Sequence, residues 1–484
     1  MPKITEAKVF QSIDKPFYQL ILVAGITFSA AILRFYKMNE WSFWIDEVWS
    51  IRDALALGTT TGIVTKFHFL FYLLLKPWVM FLTVNEWNAR LFPSLIGIVT
   101  IPILFVVIKK CVNVWVAIIV ALLLAVAPWH LYWSQNVRFY TLLLLFYNLS
   151  LFAFYWGLEK DNFKYIVLAI ILWGLALITH TSAAILVPTL AIYIVLLKVL
   201  PFEQPPGLHW KYIIPLAFLP VLYIFYEIFR VVQGEQLIAL DILQKFFLQK
   251  PSLTQAVRLA IGVVYYIGVP VMCIAFFSAI YLIVNKQRQG LFFLVAASTP
   301  FLILFAPVSQ TRYVFLSLPM WLILAAIGVR ELFLATRTTR TQSQLIVAGL
   351  LLVLLADPIS QDMQYYFYQN GHRWNWKDAF AEVEAQKLDD DLIVTTWPEV
   401  GAYYLKEDSI PMNEMTPEMV KQSNQRLWFI DDGWVNPGLY KWLEKNAELK
   451  DVLDVHIPGK IYPLRVYLYD PGSGAQARTS IQHK

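Results

Sequence analysis

Long apolar runs fill most of the chain up to residue 356, and short polar stretches separate them. A helix needs about 20 mostly apolar residues to cross a bilayer, with about 17 as a lower limit. The pattern therefore predicts about eleven membrane-spanning helices. The predicted spans are 18–36, 91–108, 112–128, 139–157, 165–179, 183–200, 212–229, 257–284, 291–306, 313–334 and 345–356.

One further apolar stretch, 67–84, is placed by the charges around it. Lys109 and Lys110 follow the second predicted span, and the positive-inside rule puts them in the cytoplasm together with the lysine-bearing N-terminus. The chain then crosses twice between these two cytoplasmic sites. The stretch 67–84 is therefore predicted to lie along the outer interface or to dip into it.

The same rule predicts the orientation of the whole chain. The N-terminal run is an uncleaved signal-anchor, and the predicted outer loops are 37–90, 129–138 and 231–256. Eleven crossings leave the C-terminal tail on the extracytoplasmic side, and a bacterial inner (plasma) membrane is favoured. The basic residues placed inside are Lys160, Lys164, Lys198, Lys211, Lys286, Arg288, Arg337 and Arg340.

The tail alternates helical and strand-like patterns, which is typical of an α/β layer arrangement. A helical pattern runs over 376–387 and another over 438–445. Strand-like runs occur at 392–396, 427–430, 452–457 and 464–469. The predicted fold is thus a polytopic α-helical membrane domain, residues 1–356, followed by a soluble extracytoplasmic α/β domain, residues 357–484.

Composition supports the membrane prediction and charge divides the chain in two. Hydrophobic residues make up 58% and charged residues only 15%, against about 25% charged in a typical globular chain. The tail has 13 basic and 20 acidic residues, whereas the preceding 356 residues have 26 basic and 14 acidic. The basic balance therefore belongs to the membrane part and indicates no nucleic-acid partner. Cys111 and Cys273 lie in or beside apolar runs and indicate neither a disulfide framework nor a metal site.

Ionisable residues near a bilayer are costly and are functional candidates by default. Asp46 and Glu47 stand among three tryptophans in the first outer loop, and Arg138 precedes a span in the second. Each has a structural alternative: a solvated loop acid for the carboxylates and a snorkelling interface anchor for the arginine. Further outer-face candidates with weaker individual support are Arg90, His180 and Arg312.

Four stretches follow one another in the membrane part: the acidic motif 44–47, the run 68–75 that begins with His68, the stretch 86–97 and the stretch 134–140. In their residues and order they resemble the polyprenyl-phosphate-sugar-dependent glycosyltransferases of the multi-span GT-C fold, the group of protein O-mannosyltransferases and bacterial aminoarabinose transferases. Three positions depart from the family pattern. Phe69 and Leu70 replace a proline pair, and Asn136 stands where an acidic residue is usual. Asn136 supplies no negative charge, so no cofactor is implied and a divalent cation is compatible but not indicated.

This resemblance implies the transfer of a sugar from a polyprenyl-phosphate-linked donor to a lipid, glycan or protein acceptor at the outer face, with inversion. Asp46 is then the catalytic base, and Glu47 orients Asp46 or binds a sugar hydroxyl. Arg138 stabilises the departing phosphate. The remaining substrate-binding candidates are His68, Arg90, Tyr140 and Arg312, of which the two arginines assist Arg138.

Two alternatives stay open. The first is a transporter or flippase of lipid-linked sugars, whose sites usually lie at the bilayer midplane rather than at the outer face, where the candidates gather here. The second is an inactive scaffold whose tail binds partners, against which the retained Asp46, Glu47 and Arg138 argue.

Overall fold

The computed structural model describes residues 15–59, 68–232, 253–305, 309–335, 340–433, 437–457 and 460–472. Most of the predicted outer loop 231–256 lies outside these residues, as does the lysine-bearing N-terminus. The chain forms two compact units. The first comprises Met1–Tyr36, Asp53–Phe81 and Arg90–Asp362, and the second comprises Lys37–Arg52, Leu82–Ala89 and Met363–Lys484.

Helices make up nearly all regular structure as far as residue 367. They are α1 (Pro16–Phe35), α2 (Ile45–Ala56), α3 (Phe69–Phe81), α4 (Glu86–Cys111), α5 (Val114–Ala125), α6 (Pro128–Ser134), α7 (Tyr140–Glu159), α8 (Phe163–Thr179), α9 (Leu186–Val199), α10 (Trp210–Val232), α11 (Leu253–Ile267), α12 (Val269–Val284), α13 (Arg288–Ser298), α14 (Leu318–Ala335) and α15 (Arg340–Phe367). Short 3-10 segments lie at Thr181–Ile185, Thr299–Phe305 and Thr311–Ser317.

Within the described residues, seven helices are long and apolar enough to cross a membrane, and the number is nine if each of two bent helix pairs counts as one span. All eleven predicted spans are helical: seven coincide with these helices and two with the bent pairs. The other two, 165–179 and 212–229, form α8 and α10. At 1.5 Å per residue, the 17 residues of α8 reach about 26 Å, short of the roughly 30 Å hydrocarbon core. The polytopic membrane fold is confirmed, and the candidate spans counted within the described residues number seven to nine.

Two of the predicted spans, 112–128 and 257–284, are bent where a proline or a glycine lies in the sequence. The α5–α6 pair turns by 60° at Pro128, and α11–α12 turns by 96° at Gly268. Gly268 has φ +94°, which strongly favours glycine, and an added Cβ would lie 2.9 Å from Asp357 Oδ2. The stretch 67–84 contains α3, whose 13 residues reach only about 20 Å and cannot cross alone. That length agrees with its predicted interfacial or dipping placement.

Burial separates the helices of the first unit into inner and outer ones. In the span Thr311–Leu334, 89% of the apolar window is buried, and in α7 the figure is 83%, whereas α1 reaches only 22%. An apolar helix that is exposed on most sides faces lipid. The inner helices α7 and α14 therefore form the core, and they lead directly from the segments that carry Arg138 and Arg312.

The second unit contains the predicted α/β fold. Its helices beyond residue 367 are α16 (Trp376–Gln386), α17 (Pro398–Leu405), α18 (Pro417–Gln422) and α19 (Pro437–Asn446), with 3-10 turns at Asn370–His372 and Met412–Glu414. Its strands are β1 (Leu392–Thr395), β2 (Ile410–Pro411), β3 (Leu427–Asp431), β4 (Glu448–Val452), β5 (Val455–Ile457), β6 (Lys460–Tyr462) and β7 (Arg465–Tyr469). Five strands form a sheet in the order β2-β1-β3-β7-β4, and β5 pairs with β6.

The sheet is mixed and is covered on both faces. Strand β1 runs parallel to β2 and β3, whereas β7 runs antiparallel to β3 and β4. Alternate residues of β3 enter opposite clusters: Trp428 packs with α16, and Phe429 packs with residues of α18 and α19. Ile45, from the first predicted outer loop, belongs to the same cluster as Trp428. The acidic motif is thereby built into the α/β unit, and the predicted boundary at 356/357 falls within α15.

Candidate active site

The acidic motif lies at the start of helix α2. The Trp44 backbone N–H donates to Glu47 Oε2 at 3.4 Å, which is half of a capping box. Asp46 and Glu47 occupy the first turn, where the helix dipole favours negative charge. Glu47 has no exposed surface, whereas Asp46 is partly exposed. The two neighbouring carboxylates therefore differ in environment, and Asp46 is the one that a substrate can reach.

Glu47 forms a buried ion pair with Arg373. The Nε atom of Arg373 lies 3.7 Å from Glu47 Oε2, and the side chains are 1% and 0% exposed. Arg373 also donates to the Gly371 carbonyl at 2.8 Å and to the Tyr365 hydroxyl at 3.3 Å, and its guanidinium carbon lies 5.7 Å from the centroid of the Trp41 ring. Complete burial supports the orienting role for Glu47 over direct contact with a sugar.

A left-handed turn places Arg373 beneath the acidic motif. Asn370, Gly371 and His372 have φ values of 44°, 57° and 55°, a conformation that is costly for residues other than glycine and that concentrates at functional sites. A Cβ at Gly371 would lie 2.5 Å from the Trp41 ring. Close approach of Trp41 thus requires glycine at this position.

Hydrogen bonds tie the loop before the motif to the rest of the α/β unit. The Phe43 N–H donates to the Tyr404 hydroxyl at 2.7 Å, and that hydroxyl donates to Glu86 at 2.9 Å. Ser42 Oγ accepts from the Lys377 N–H at 2.8 Å. These bonds join residues far apart in sequence, so the segment that carries Asp46 is held in a fixed position within the α/β unit.

An arginine–histidine cluster, consisting of His68, Arg138, Phe139, His180 and Arg312, lies in the first unit. Each imidazole stacks on the Phe139 ring, with centroid distances of 3.9 Å for His68 and 4.4 Å for His180. The guanidinium carbon of Arg138 lies 5.0 Å from the same ring. Arg312 lies 5.9 Å from the ring of Tyr313, which stacks with His180. Four separate parts of the chain meet here.

Both imidazoles of the cluster are neutral at pH 7. Burial, followed by the positive charges of Arg138 and Arg312, lowers the pKa of His180 to about 3. Burial, followed by His180 and Arg138, lowers the pKa of His68 well below its usual value. Since His180 Nδ1 accepts from the Ser182 N–H, its proton is on Nε2. His68 Nδ1 lies 3.2 Å from the Thr179 carbonyl, to which it donates. The cluster's positive charge therefore belongs to its two arginines.

Reciprocal helix-end hydrogen bonds hold the segment that leads to Arg138. The completely buried Arg34 of α1 donates to the carbonyls of Leu124 and Ala125 at the end of α5, at 3.2 and 2.9 Å. Gln135, just past α6, donates at 2.9 Å to the carbonyls of Arg34 and Tyr36 at the end of α1. Each side chain satisfies carbonyls that a helix terminus leaves open. The bend at Pro128 is thereby fixed.

The remaining predicted residues have defined places. Tyr140 is buried and packs on Trp133 and Phe139, so it borders the cluster. Arg90 is completely buried in α4, and Asn136 donates to the Tyr132 carbonyl at 2.6 Å. Among the residues that the structure describes, no group of three or more His, Cys, Asp or Glu side chains is placed to hold a metal ion.

Sequence reasoning assigned no role to Arg34, Gln135 or Arg373. A role for Arg34 could have been predicted, because burying a charged residue in the last turn of an apolar helix costs free energy. Arg373 carried none locally, since its partner Glu47 is distant in sequence. His180 was identified only as a weak candidate, and its contact with Phe139 gives it a place in the cluster.

The sequence and the fold are similar to those of known proteins. The family model for dolichyl-phosphate-mannose-protein mannosyltransferase matches residues 55–224. The structure of ArnT from Cupriavidus metallidurans in the apo state is 12% identical with a TM-score of 0.60, and the match covers 94% of this chain and 98% of that one. The same protein bound to undecaprenyl phosphate gives 11% identity, a TM-score of 0.60, and coverage of 96% and 100%.

A second solved protein shares the fold. The archaeal oligosaccharyltransferase AglB from Archaeoglobus fulgidus, in complex with an inhibitory peptide and a dolichol-phosphate, is 12% identical with a TM-score of 0.55, and coverage is 92% of this chain and 74% of that one. None of the curated proteins matches the sequence. The predicted resemblance to GT-C glycosyltransferases is confirmed. The family match and the shared fold together indicate a multi-pass membrane glycosyltransferase.

Proposed function

We propose that this glycosyltransferase transfers a sugar from a polyprenyl-phosphate-linked donor to an acceptor at the extracytoplasmic face, with inversion. The observation that carries the proposal is the meeting of Arg138 and Arg312 at the stacked rings of His68, Phe139 and His180. The two guanidinium groups give such a site a positive charge, which suits an anionic lipid phosphate. The ligands named for the two structural neighbours, undecaprenyl phosphate and a dolichol-phosphate, support the same donor class.

The proposed step is a single displacement at the anomeric carbon. Asp46 takes the proton of the acceptor hydroxyl or amine as that group attacks the carbon from the face opposite the phosphate. The bond between carbon and phosphate oxygen breaks, and its electron pair leaves with the polyprenyl phosphate. Arg138 stabilises the charge that develops on the leaving oxygen, assisted by Arg312. Glu47 and Arg373 hold the start of α2, and through it Asp46.

The proposed orientation places the N-terminus inside and the α/β domain outside, because the lysines at the ends of α4, α7 and α12 mark cytoplasmic loops. Reporter fusions after Lys110, Lys160 and Lys286 are expected to report a cytoplasmic location, and a fusion at the C-terminus an external one. An external signal after Lys110 contradicts this orientation and makes 67–84 a true span.

Replacing Arg138 tests the leaving-group assignment. Arg138→Ala is expected to lower kcat by about 10²-fold, because the loss of one preorganised donor at a developing anion costs about that much or more. Arg138→Lys should recover only part of the rate, since lysine lacks the planar fork of donors. Transfer of labelled sugar from polyprenyl phosphate in detergent measures both.

Arg330→Ala is the matched control for Arg138→Ala. Arg330 lies near the far end of α14 and pairs with Glu331, so its loss removes the same charge from the first unit without touching the cluster. Its rate should stay within about twofold of wild type. Full activity of Arg138→Ala at normal yield would contradict the assignment of Arg138 and would assign the stabilisation of the leaving phosphate to Arg312 or Arg90.

A further inference from the structure

Two half-buried tryptophans stand next to the proposed base on the α/β unit. Trp49 follows Asp46 by three residues on α2, so both side chains lie on one helix face. Trp397 comes two residues after the end of β1, and its ring meets that of Trp49 edge to face, with centroids 6.0 Å apart and planes at 86°. Neither indole is fully buried. The pair forms a partly exposed aromatic wall one helical turn from Asp46.

Carboxylates fix both indoles. Trp49 Nε1 donates to Glu399 at 3.1 Å, and Trp397 Nε1 donates to Asp432 at 2.7 Å. A carboxylate accepts about four hydrogen bonds, so Glu399 keeps acceptor capacity after binding the indole. Its side chain is 39% exposed and lies 3.8 Å from Arg52, which is 55% exposed. A rim of exposed charged acceptors and donors thus borders the aromatic wall.

The place in the sheet is one where α/β domains bind ligands. Trp397 follows the carboxyl end of β1, and Asp432 follows the carboxyl end of β3, which runs parallel to β1. Crevices outside the carboxyl ends of parallel strands are the usual ligand sites of open α/β sheets. Both tryptophans also pack against the core cluster that contains Trp428, but packing alone would not require an exposed rim of Glu399 and Arg52.

We propose that Trp49, Arg52, Trp397 and Glu399 form an indole platform that binds a sugar ring of a carbohydrate acceptor. A sugar ring has a face of C–H groups and a rim of hydroxyls. The indoles match the face, while Glu399 accepts from hydroxyls and Arg52 donates to them. The acceptor assignment rests on the proposed function, because it takes Asp46 as the base that receives the acceptor proton. The acceptor is thereby a glycan or a glycosylated lipid and not an unmodified peptide.

Sugar binding is testable without turnover. Saturation-transfer difference NMR on the full-length protein in detergent is run with the methyl glycosides of glucose, galactose, mannose and N-acetylglucosamine. At least one glycoside should bind wild type. Glu399→Gln replaces a charge-assisted hydrogen bond by a neutral one and is expected to weaken that binding about threefold to tenfold, and Trp397→Phe should weaken it similarly. Glu399 is exposed, so its variant should fold even if Trp397→Phe does not.

Trp442→Phe is the matched control, because Trp442 is a half-buried tryptophan of the same unit that packs on Tyr469 at the other face of the sheet. Its glycoside binding should equal that of wild type. Binding of no glycoside by wild type overturns the platform, as does equal binding in wild type and both platform variants. Displacement of the glycoside by dolichyl-phosphate-mannose assigns the platform to the donor sugar and overturns the acceptor assignment.

The Asp46→Asn variant separates this proposal from the proposed function. It should bind the glycoside as wild type does while losing transfer. If it keeps transfer, the assigned base is wrong whatever the platform binds. If it loses transfer and no protein binds a glycoside, the base stands and the platform is wrong.

Discussion

Asp46→Asn is expected to lower the transfer rate by at least about 10²-fold and to leave folding and donor binding nearly unchanged. Asparagine keeps the shape of the side chain but accepts no proton, and general base catalysis contributes about 10²- to 10⁴-fold. Because Asp46 is partly exposed, its replacement leaves no buried charge without compensation. The loss should therefore fall on kcat, with the donor KM unchanged.

Glu40→Gln provides the control for Asp46→Asn. It removes one carboxylate charge from the same loop, but Glu40 is a surface residue paired with Lys37, and its transfer rate should match wild type. Both variants are compared at equal yield and equal thermal stability. A residual rate above about a tenth of wild type in Asp46→Asn is incompatible with a general base at this position.

The sequence was most informative where structure is local. Apolar runs predicted helices at all eleven segments, because a spanning helix satisfies its own backbone hydrogen bonds. The same runs concealed the bends at Pro128 and Gly268, since a bent pair and a straight span have one hydropathy pattern. Strands β1, β3, β5 and β7 of the tail were likewise visible as short apolar runs, whereas β2, β4 and β6 were not predicted.

The sequence predicted which residues belong to the candidate site, but it did not predict which of them lie next to one another. Arg138 and Asp46 were recognisable as charged residues at predicted outer loops. The lowered pKa of His180 depends first on burial and then on two arginines from separate segments, which no local pattern reveals. The ion pair of Glu47 joins residues more than 300 positions apart. The membership of 37–52 in the α/β unit rests on such contacts and was not visible in the sequence.

Removing either member of the Glu47–Arg373 pair is expected to cost the protein about 3 to 5 kcal/mol of stability, because the remaining charge stays buried without compensation. Glu47→Gln retains an acceptor for the Trp44 N–H, so the charge is the main change. Thermal unfolding in detergent measures the loss. Glu448→Gln is the control: Glu448 pairs with Lys450 at 2.8 Å at the surface, where such a pair is worth about 0–1 kcal/mol.

The double variant Glu47→Gln/Arg373→Met separates stability from positioning. With both charges gone, no unpaired charge remains in the interior, and the double variant should be destabilised less than the sum of the two single variants. If Glu47 also orients Asp46, the double variant should regain stability but still transfer sugar more slowly than wild type, with kcat reduced and the donor KM unchanged. Recovery of the full wild-type rate would restrict Glu47 and Arg373 to folding. If the loss of stability in the double variant equals the sum of the losses in the two single variants, the two charges do not interact.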